Sequence, residues 1–281
     1  MKVRRPFLLV PLSTAVFLGA AGSPWQQPKS ATPVKVGAAE APPKAALAAA
    51  ESSAAKPESQ PAGKPETPQP AKGFPNTSEA LTYSVNWPTG LSLGEAHLKA
   101  AKSADGWQFN FSLDASVPGF AISDHYESLA NSDLCSLELE KETTHGKRTA
   151  HEKTVFDYKA GTATRTTLVE GGGHTDINIG SCAHDGLDYV FLARRELSQG
   201  RMPQEHTVLF GAEYSVRMEY TGAMEVTVGD KRQEADHVVV HFKGPVTDSN
   251  VEIFFARDPA RTPLVVKAPF ALGTFSMELA R

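Results

Sequence analysis

The sequence predicts a mainly β domain: an antiparallel β-barrel or curved sheet with one covering α-helix. Three observations carry this. Apolar and polar residues alternate with a period of two through most of the chain beyond residue 74. Turn signals interrupt the alternation every ~8–15 residues. Only one segment, from Asp185 to Gly200, changes to helical spacing.

The chain opens differently. Met1-Lys2-Val3-Arg4-Arg5 is a short basic head, Phe7 to Ala21 is an apolar run, and Gly19-Ala20-Ala21-Gly22-Ser23 are small. This is the three-part layout of a secretory signal peptide, expected over residues 1–22 and cut near Ala20–Ser23. The run is shorter than the ~20 residues a membrane-spanning helix needs, so no transmembrane helix is expected in the mature chain. No cysteine lies in this region, which excludes a bacterial lipoprotein anchor. The competing reading is an uncleaved N-terminal anchor. The expected location is the periplasm or the extracellular space.

Residues 23–73 are rich in Ala, Pro, Lys, Glu, Gln and Ser, as in Lys56-Pro57-Glu58-Ser59-Gln60-Pro61. Such a stretch buries too little apolar area to offset its ordering entropy, so a disordered linker is expected. As extended polyproline it could reach ~150 Å. It reads equally as a spacer or as a tolerated tail.

Residues 74–281 form the expected β-rich domain. Leu81–Trp87, Trp107–Ala115, Tyr214–Tyr220, Met224–Val228 and Phe275–Leu279 each alternate cleanly. One polar and one apolar face marks a half-buried antiparallel strand. Ser103-Ala104-Asp105-Gly106, Lys159-Ala160-Gly161, Gly171-Gly172-Gly173 and Gly229-Asp230 supply turns. About ten to thirteen strands are expected. In the helical segment Leu187, Val190, Phe191, Arg194 and Leu197 share one face. Asp185 can cap its start and Gly200 can end it.

Composition narrows the function classes. The net charge is -4, with no basic stripe in the folded part, so no nucleic-acid partner is expected. Cys135 and Cys182 are the 2 cysteines of the chain. In an oxidising compartment such a pair is read as a disulfide. The alternative is a metal or redox site, but neither has the second cysteine two residues away that such sites use.

Chemical motifs are few. Gly90-Leu91-Ser92-Leu93-Gly94 matches the string of a hydrolase nucleophile elbow. That elbow needs a strand, a sharp turn and a helix, whereas here alternating segments flank it. His237 and His241 share a strand face but lie ~13 Å apart, too far for one ion. His174 and Asp176 have no third ligand nearby in sequence, and Glu138, Glu140 and Glu142 read as a solvated face. No phosphate loop or dinucleotide fingerprint is present. No catalytic residue, metal site or cofactor is expected.

Several features recur in a familiar order. Leu81–Trp87 runs into Gly90 and Gly94-Glu95-Ala96. Val155-Phe156-Asp157 follows. Cys182-Ala183-His184-Asp185-Gly186-Leu187-Asp188 leads into Leu192-Ala193-Arg194-Arg195 and Gly200. Asp258-Pro259-Ala260-Arg261-Thr262-Pro263-Leu264 precedes Gly273 and Leu279. From Phe74 to Arg281 the chain resembles the bacterial exported family called domain of unknown function 3108. Gly186-Leu187 stands where that family usually has Pro-Leu or a similar pair. The resemblance implies a β-rich envelope domain and no known activity, and it supplies no catalytic residues.

The function expected is therefore a non-enzymatic envelope protein. A barrel of more than eight strands is wider than its own side chains easily fill, so loops, the helix, or a lipid or other apolar ligand must occupy the interior, and the competing outcome is a flattened sandwich whose faces meet with no gap. Phe109, Phe111, Leu187, Val190, Phe191, Val216 and Met218 are the candidate binding residues. The alternatives are an interaction module for other envelope proteins and a hydrolase. A polar cluster inside the barrel would favour the enzyme, and an apolar pocket under the helix the carrier.

Overall fold

A hairpin returns the chain beside the strand it has just left, so a run of hairpins builds a sheet in chain order. The computed structural model describes residues 67–71, 73–75, 77–117, 119–245, 248–270 and 273–280. The expected signal peptide and all but the end of the expected linker lie outside the described residues. The first meander comprises β1 (Glu79–Asn86), β2 (Ser92–Lys102), β3 (Gly106–Val117), β4 (Phe120–Asn131), β5 (Ser136–His145), β6 (Arg148–Asp157), β7 (Thr162–Thr167) and β8 (His174–Asn178). A two-residue β9 (His184–Asp185) then leads into helix α1 (Gly186–Ser198). The second meander comprises β10 (His206–Leu209), β11 (Glu213–Val228), β12 (Lys231–Lys243), β13 (Asp248–Ala256), β14 (Pro263–Phe270) and β15 (Gly273–Leu279).

One 15-stranded sheet results, in the order β8 to β1 followed by β15 down to β9. β1 joins the two meanders by pairing with β15, Tyr83 opposite Leu279 and Asn86 opposite Ser276. All pairs are antiparallel except β9 with β10. The edges are β8 and β9, so the sheet is curved and open. The strand number exceeds the ten to thirteen expected because β8, β9 and β10 have 5, 2 and 4 residues, too short for a visible alternation. The concave face holds one large core, with Phe109, Tyr126, Val216, Val238 and Phe255 fully enclosed.

Two predicted strands are one. Tyr214–Tyr220 and Met224–Val228 both belong to β11, whose pairing with β12 slips between Tyr220 and Gly222. A bulge inserts one residue and so exchanges the faces beyond it. Val226, which unbroken alternation from Val216 and Met218 would turn inward, therefore packs with Phe254, Leu264 and Val265 on the convex face, and Met224 is exposed. Gly94 lies within β2, not at a bend between strands. A Cβ there would sit 1.9 Å from the Asp114 carbonyl oxygen on β3, so the position has room only for glycine.

The helix does more than cover. Asp185 caps it, its carboxylate accepting from the Leu187 and Asp188 amides at 2.7 and 3.2 Å. Tyr189, Leu192, Ala193 and Arg194 are buried in addition to Leu187, Phe191 and Leu197. A helix enclosed on nearly every side lies inside a fold, not on it. Arg194 is tolerated there because both of its ends are paired. Its guanidinium grips the Glu79 carboxylate through Nη1 and Nη2, donates from Nε to the Ala260 carbonyl at 2.9 Å and lies 4.6 Å from the Phe191 ring centroid. Cys135 and Cys182 are disulfide-bonded, which ties the β4–β5 turn to the segment before the helix.

Ordered contacts begin before Phe74. The Ala71 amide donates to the Ser198 carbonyl at 2.8 Å, and Arg261 donates to the Gln69 carbonyl. The end of the proline-rich stretch thus lies against the domain, held by backbone hydrogen bonds that composition does not reveal.

Candidate ligand cavity

Alternation sends every second side chain of β1, β3, β11, β12, β13 and β15 to the concave face, toward α1. The space is not filled. A cavity of about 130 Å³ lies between helix and sheet. Gly186, Leu187, Tyr189 and Val190 of the helix line one side. Phe111, Val216, Met218, Val240, Ile253 and Met277 line the other. A second cavity of about 100 Å³ continues along the sheet, lined by Val85, Leu93, Leu113, Val117, Ile122 and Phe275. Val266 and Met277 belong to both walls. A cavity of ~150 Å³ with such a lining stays dry and accepts a benzene-sized guest. The partition between the two cavities includes a methionine, the most adaptable of core side chains.

The few polar groups on the walls are spent or neutral. The Tyr83 hydroxyl donates to the Pro263 carbonyl at 2.9 Å. Burial pushes the Tyr83 and Tyr189 phenols well up, as expected of a dry wall.

Of the candidate binding residues, Phe111, Leu187, Val190, Val216 and Met218 line the first cavity. Phe109 and Phe191 do not. They fill the space on another side of the helix, their rings 4.4 Å apart, with Trp107 at 6.2 Å from Phe191. Helical spacing selects the buried stripe but does not tell a wall from a packed face. The second cavity is not legible in the sequence although Val85, Leu113 and Phe275 lie in cleanly alternating segments, because alternation gives the buried face and not the gap in front of it.

A polar cluster fixes the start of the helix beside this cavity. The Asp185 carboxylate accepts from Ser128 Oγ at 2.5 Å and Ser136 Oγ at 3.1 Å, besides its two backbone donors. The Ser136 hydroxyl also bonds to Asp188. A hydroxyl has one proton to give, so two ionised carboxylates cannot both be served. Burial first, and then the Asp185 charge, drive the Asp188 carboxyl well above the usual carboxylate range. His184 donates from Nδ1 to the Leu134 carbonyl at 2.9 Å, and burial lowers its pKa to about 4. Both shifts favour the uncharged forms, against an ion pair across their 3.4 Å approach. The sequence signal for this cluster was present in His184-Asp185-x-x-Asp188, but its serine partners lie 49 and 57 residues away.

A carboxyl whose folded pKa is raised contributes stability below its unfolded value near 3.8 that is lost as pH rises through the folded value. His184 acts oppositely. Its folded pKa is depressed, so its contribution is present above about 6.5 and is lost as pH falls through about 4. Asp188→Asn removes the first term alone. Its stability relative to the parent should improve as pH rises from 5 to 8, as read by urea denaturation at each pH. An unchanged difference would mean that Asp188 is ionised in the fold.

A second polar group lies across β4 to β7. Lys141 is buried, its Nζ 4.2 Å from the ring centroid of Phe210, itself a cavity-wall residue, and burial lowers its pKa to about 8. Asp124 accepts from His145 at 2.8 Å. Ser92, the serine of the elbow-like string, is exposed at the start of β2, between two strands. Among the described residues no group of three or more His, Cys, Asp or Glu side chains could hold a metal ion. No described helix is long and apolar enough to cross a membrane.

An open, barrel-like sheet wrapped round an internal helix, with apolar space between them, defines the class of this protein. The chain belongs to the family described as Protein of unknown function (DUF3108), whose model matches residues 82–280. It is also similar in fold to a solved structure, the β-barrel-like protein of domain of unknown function DUF1849 from Brucella abortus. That similarity has a TM-score of 0.53 at 8% identity over 74% of this chain and 98% of that one. No curated protein matches the chain.

Proposed function

We propose that this chain is an exported cell-envelope protein that holds an acyl chain or a similarly elongated apolar ligand between α1 and the concave face of the sheet. The observation that carries the reading is the pair of adjoining apolar cavities beside the helix. Export draws its support from the basic head, the apolar run and the small residues of the first twenty-three positions. The hydrolase alternative draws none from Ser92. The polar groups around Lys141 favour an enzyme by placement alone.

Titration with a fluorescent fatty-acid analogue tests this. Saturable binding is expected. Val190 is only half-buried and lines the cavity, so Val190→Asp should leave the fold intact while setting a charge at the wall. Affinity should fall roughly tenfold or more, since an unpaired charge in an apolar site costs well over 1.4 kcal/mol. Absence of binding at micromolar protein would favour an interaction module instead.

A further inference from the structure

Three neighbouring turns at one end of the sheet bring together two exposed apolar side chains, Leu91 and Phe120, and two exposed cations. They are the turn at 87–91 between β1 and β2, the one at Gly119 that leads into β4, and the one at 146–147 between β5 and β6. The register makes them neighbours at nearly one level: Asn86 opposite Ser92, Gly94 opposite Ala115, Val117 opposite Phe120 and Ile122 opposite His145. Leu91 is 65% exposed and Phe120 44%. Phe120 lies against Gly146, where a Cβ would come within 2.9 Å of its ring. That contact joins the second turn to the third, which presents the exposed cations Lys147 and Arg148. Neither cation forms an ion pair with a described residue. The sequence has no Asp or Glu at 87–91 or 146–149, although the chain as a whole carries -4. The smaller cavity lies directly behind these turns, since Leu93, Ser116, Val117 and Ile122 line it. Trp87, at the base of the first turn, stands edge-on to the cavity residue Phe275 at 4.8 Å.

We propose that this end docks on an anionic lipid surface. Leu91 and Phe120 enter the headgroup layer, Lys147 and Arg148 meet lipid phosphates, and the smaller cavity faces the bilayer. The charge pattern selects the partner. Two exposed apolar side chains beside two unpaired cations, with no acid on the turns that carry them and one, Glu170, on the next turn between β7 and β8, match an interface of phosphates over hydrocarbon. A partner protein or a second copy of this acidic chain would need complementary acids facing the same spot. The inference rests on the acyl-chain reading for what enters the cavity, while the docking needs no occupied cavity.

Co-sedimentation of the full chain with vesicles tests it. Binding to phosphatidylglycerol-containing vesicles is expected, with much weaker binding to pure phosphatidylcholine and a decline with salt. K147E/R148E and L91S/F120S should each reduce binding about tenfold or more. K159E, on a turn at the opposite end, should leave it unchanged and so shows that a charge reversal away from this surface does not matter. All of these variants should bind the fluorescent fatty acid in solution as the parent does. V190D should do the reverse, losing the probe while still sedimenting. The two readings therefore fail separately. Turn variants that sediment like the parent, or a parent that ignores anionic vesicles, would overturn the docking proposal. Self-association abolished by L91S/F120S in the absence of lipid would assign the surface to a second copy.

Discussion

Phe191→Ala is expected to destabilise the fold by about 3–5 kcal/mol, a large fraction of the ~5–15 kcal/mol that holds a typical domain. The side chain is 2% exposed, and its ring is enclosed by Phe109, Trp107 and the guanidinium of Arg194. Truncation removes the transfer energy of the ring and leaves a void that two flanking aromatic rings cannot collapse into. It also takes away the face on which Arg194 lies, so a further ~1 kcal/mol of cation–π contact is lost. Urea denaturation should show the midpoint falling at an unchanged slope. A loss below about 1 kcal/mol would mean that the helix is held by its cap and by Arg194 rather than by packing. Phe191 does not line the cavity, so probe affinity per folded molecule should change far less than in Val190→Asp.

The second large effect belongs to the disulfide. Cys135 and Cys182 close a loop of 47 residues. In the chain-entropy account, removing the bridge costs roughly 4 kcal/mol, and less if the unfolded chain keeps structure. The double substitution Cys135→Ser with Cys182→Ser should lower the urea midpoint accordingly. The damage should also be local. The bridge sits beside the Ser136 amide, which donates to the Ala183 carbonyl at 2.9 Å, and beside the serine–aspartate cluster that caps α1. Amide exchange should therefore accelerate first at Leu187 and Asp188. Alkylation of the unfolded, unreduced parent should label neither cysteine. Two labelled thiols, or a double variant as stable as the parent, would remove the bridge from this account.

Strands were legible because burying one face of a strand imposes a period of two on neighbouring residues, as at Trp107–Ala115. The helix was legible because its cap, its stripe and its end lie within sixteen residues, from Asp185 to Gly200. Where a feature depends on one residue breaking the period, the reading went astray. The bulge beside Thr221 turned Val226 outward and merged two expected strands into β11.

The sequence by itself determined the fold class, the helix with its limits and the cysteine pair, because each is written in local spacing or in a count, while the family rests on the resemblance of its motifs. Tertiary structure alone decided that the helix is enclosed, that Phe111, Val190 and Met218 border a cavity while Phe109 and Phe191 fill a core, and that Leu91, Phe120 and Lys147 share one end of the sheet. Those outcomes depend on groups far apart in the chain meeting in space. Arg194 and Glu79 are 115 positions apart, and Tyr83 and Pro263 are 180. A period says which side of an element is buried. It cannot say whether the facing surfaces meet, and that shortfall in volume is what leaves the cavity.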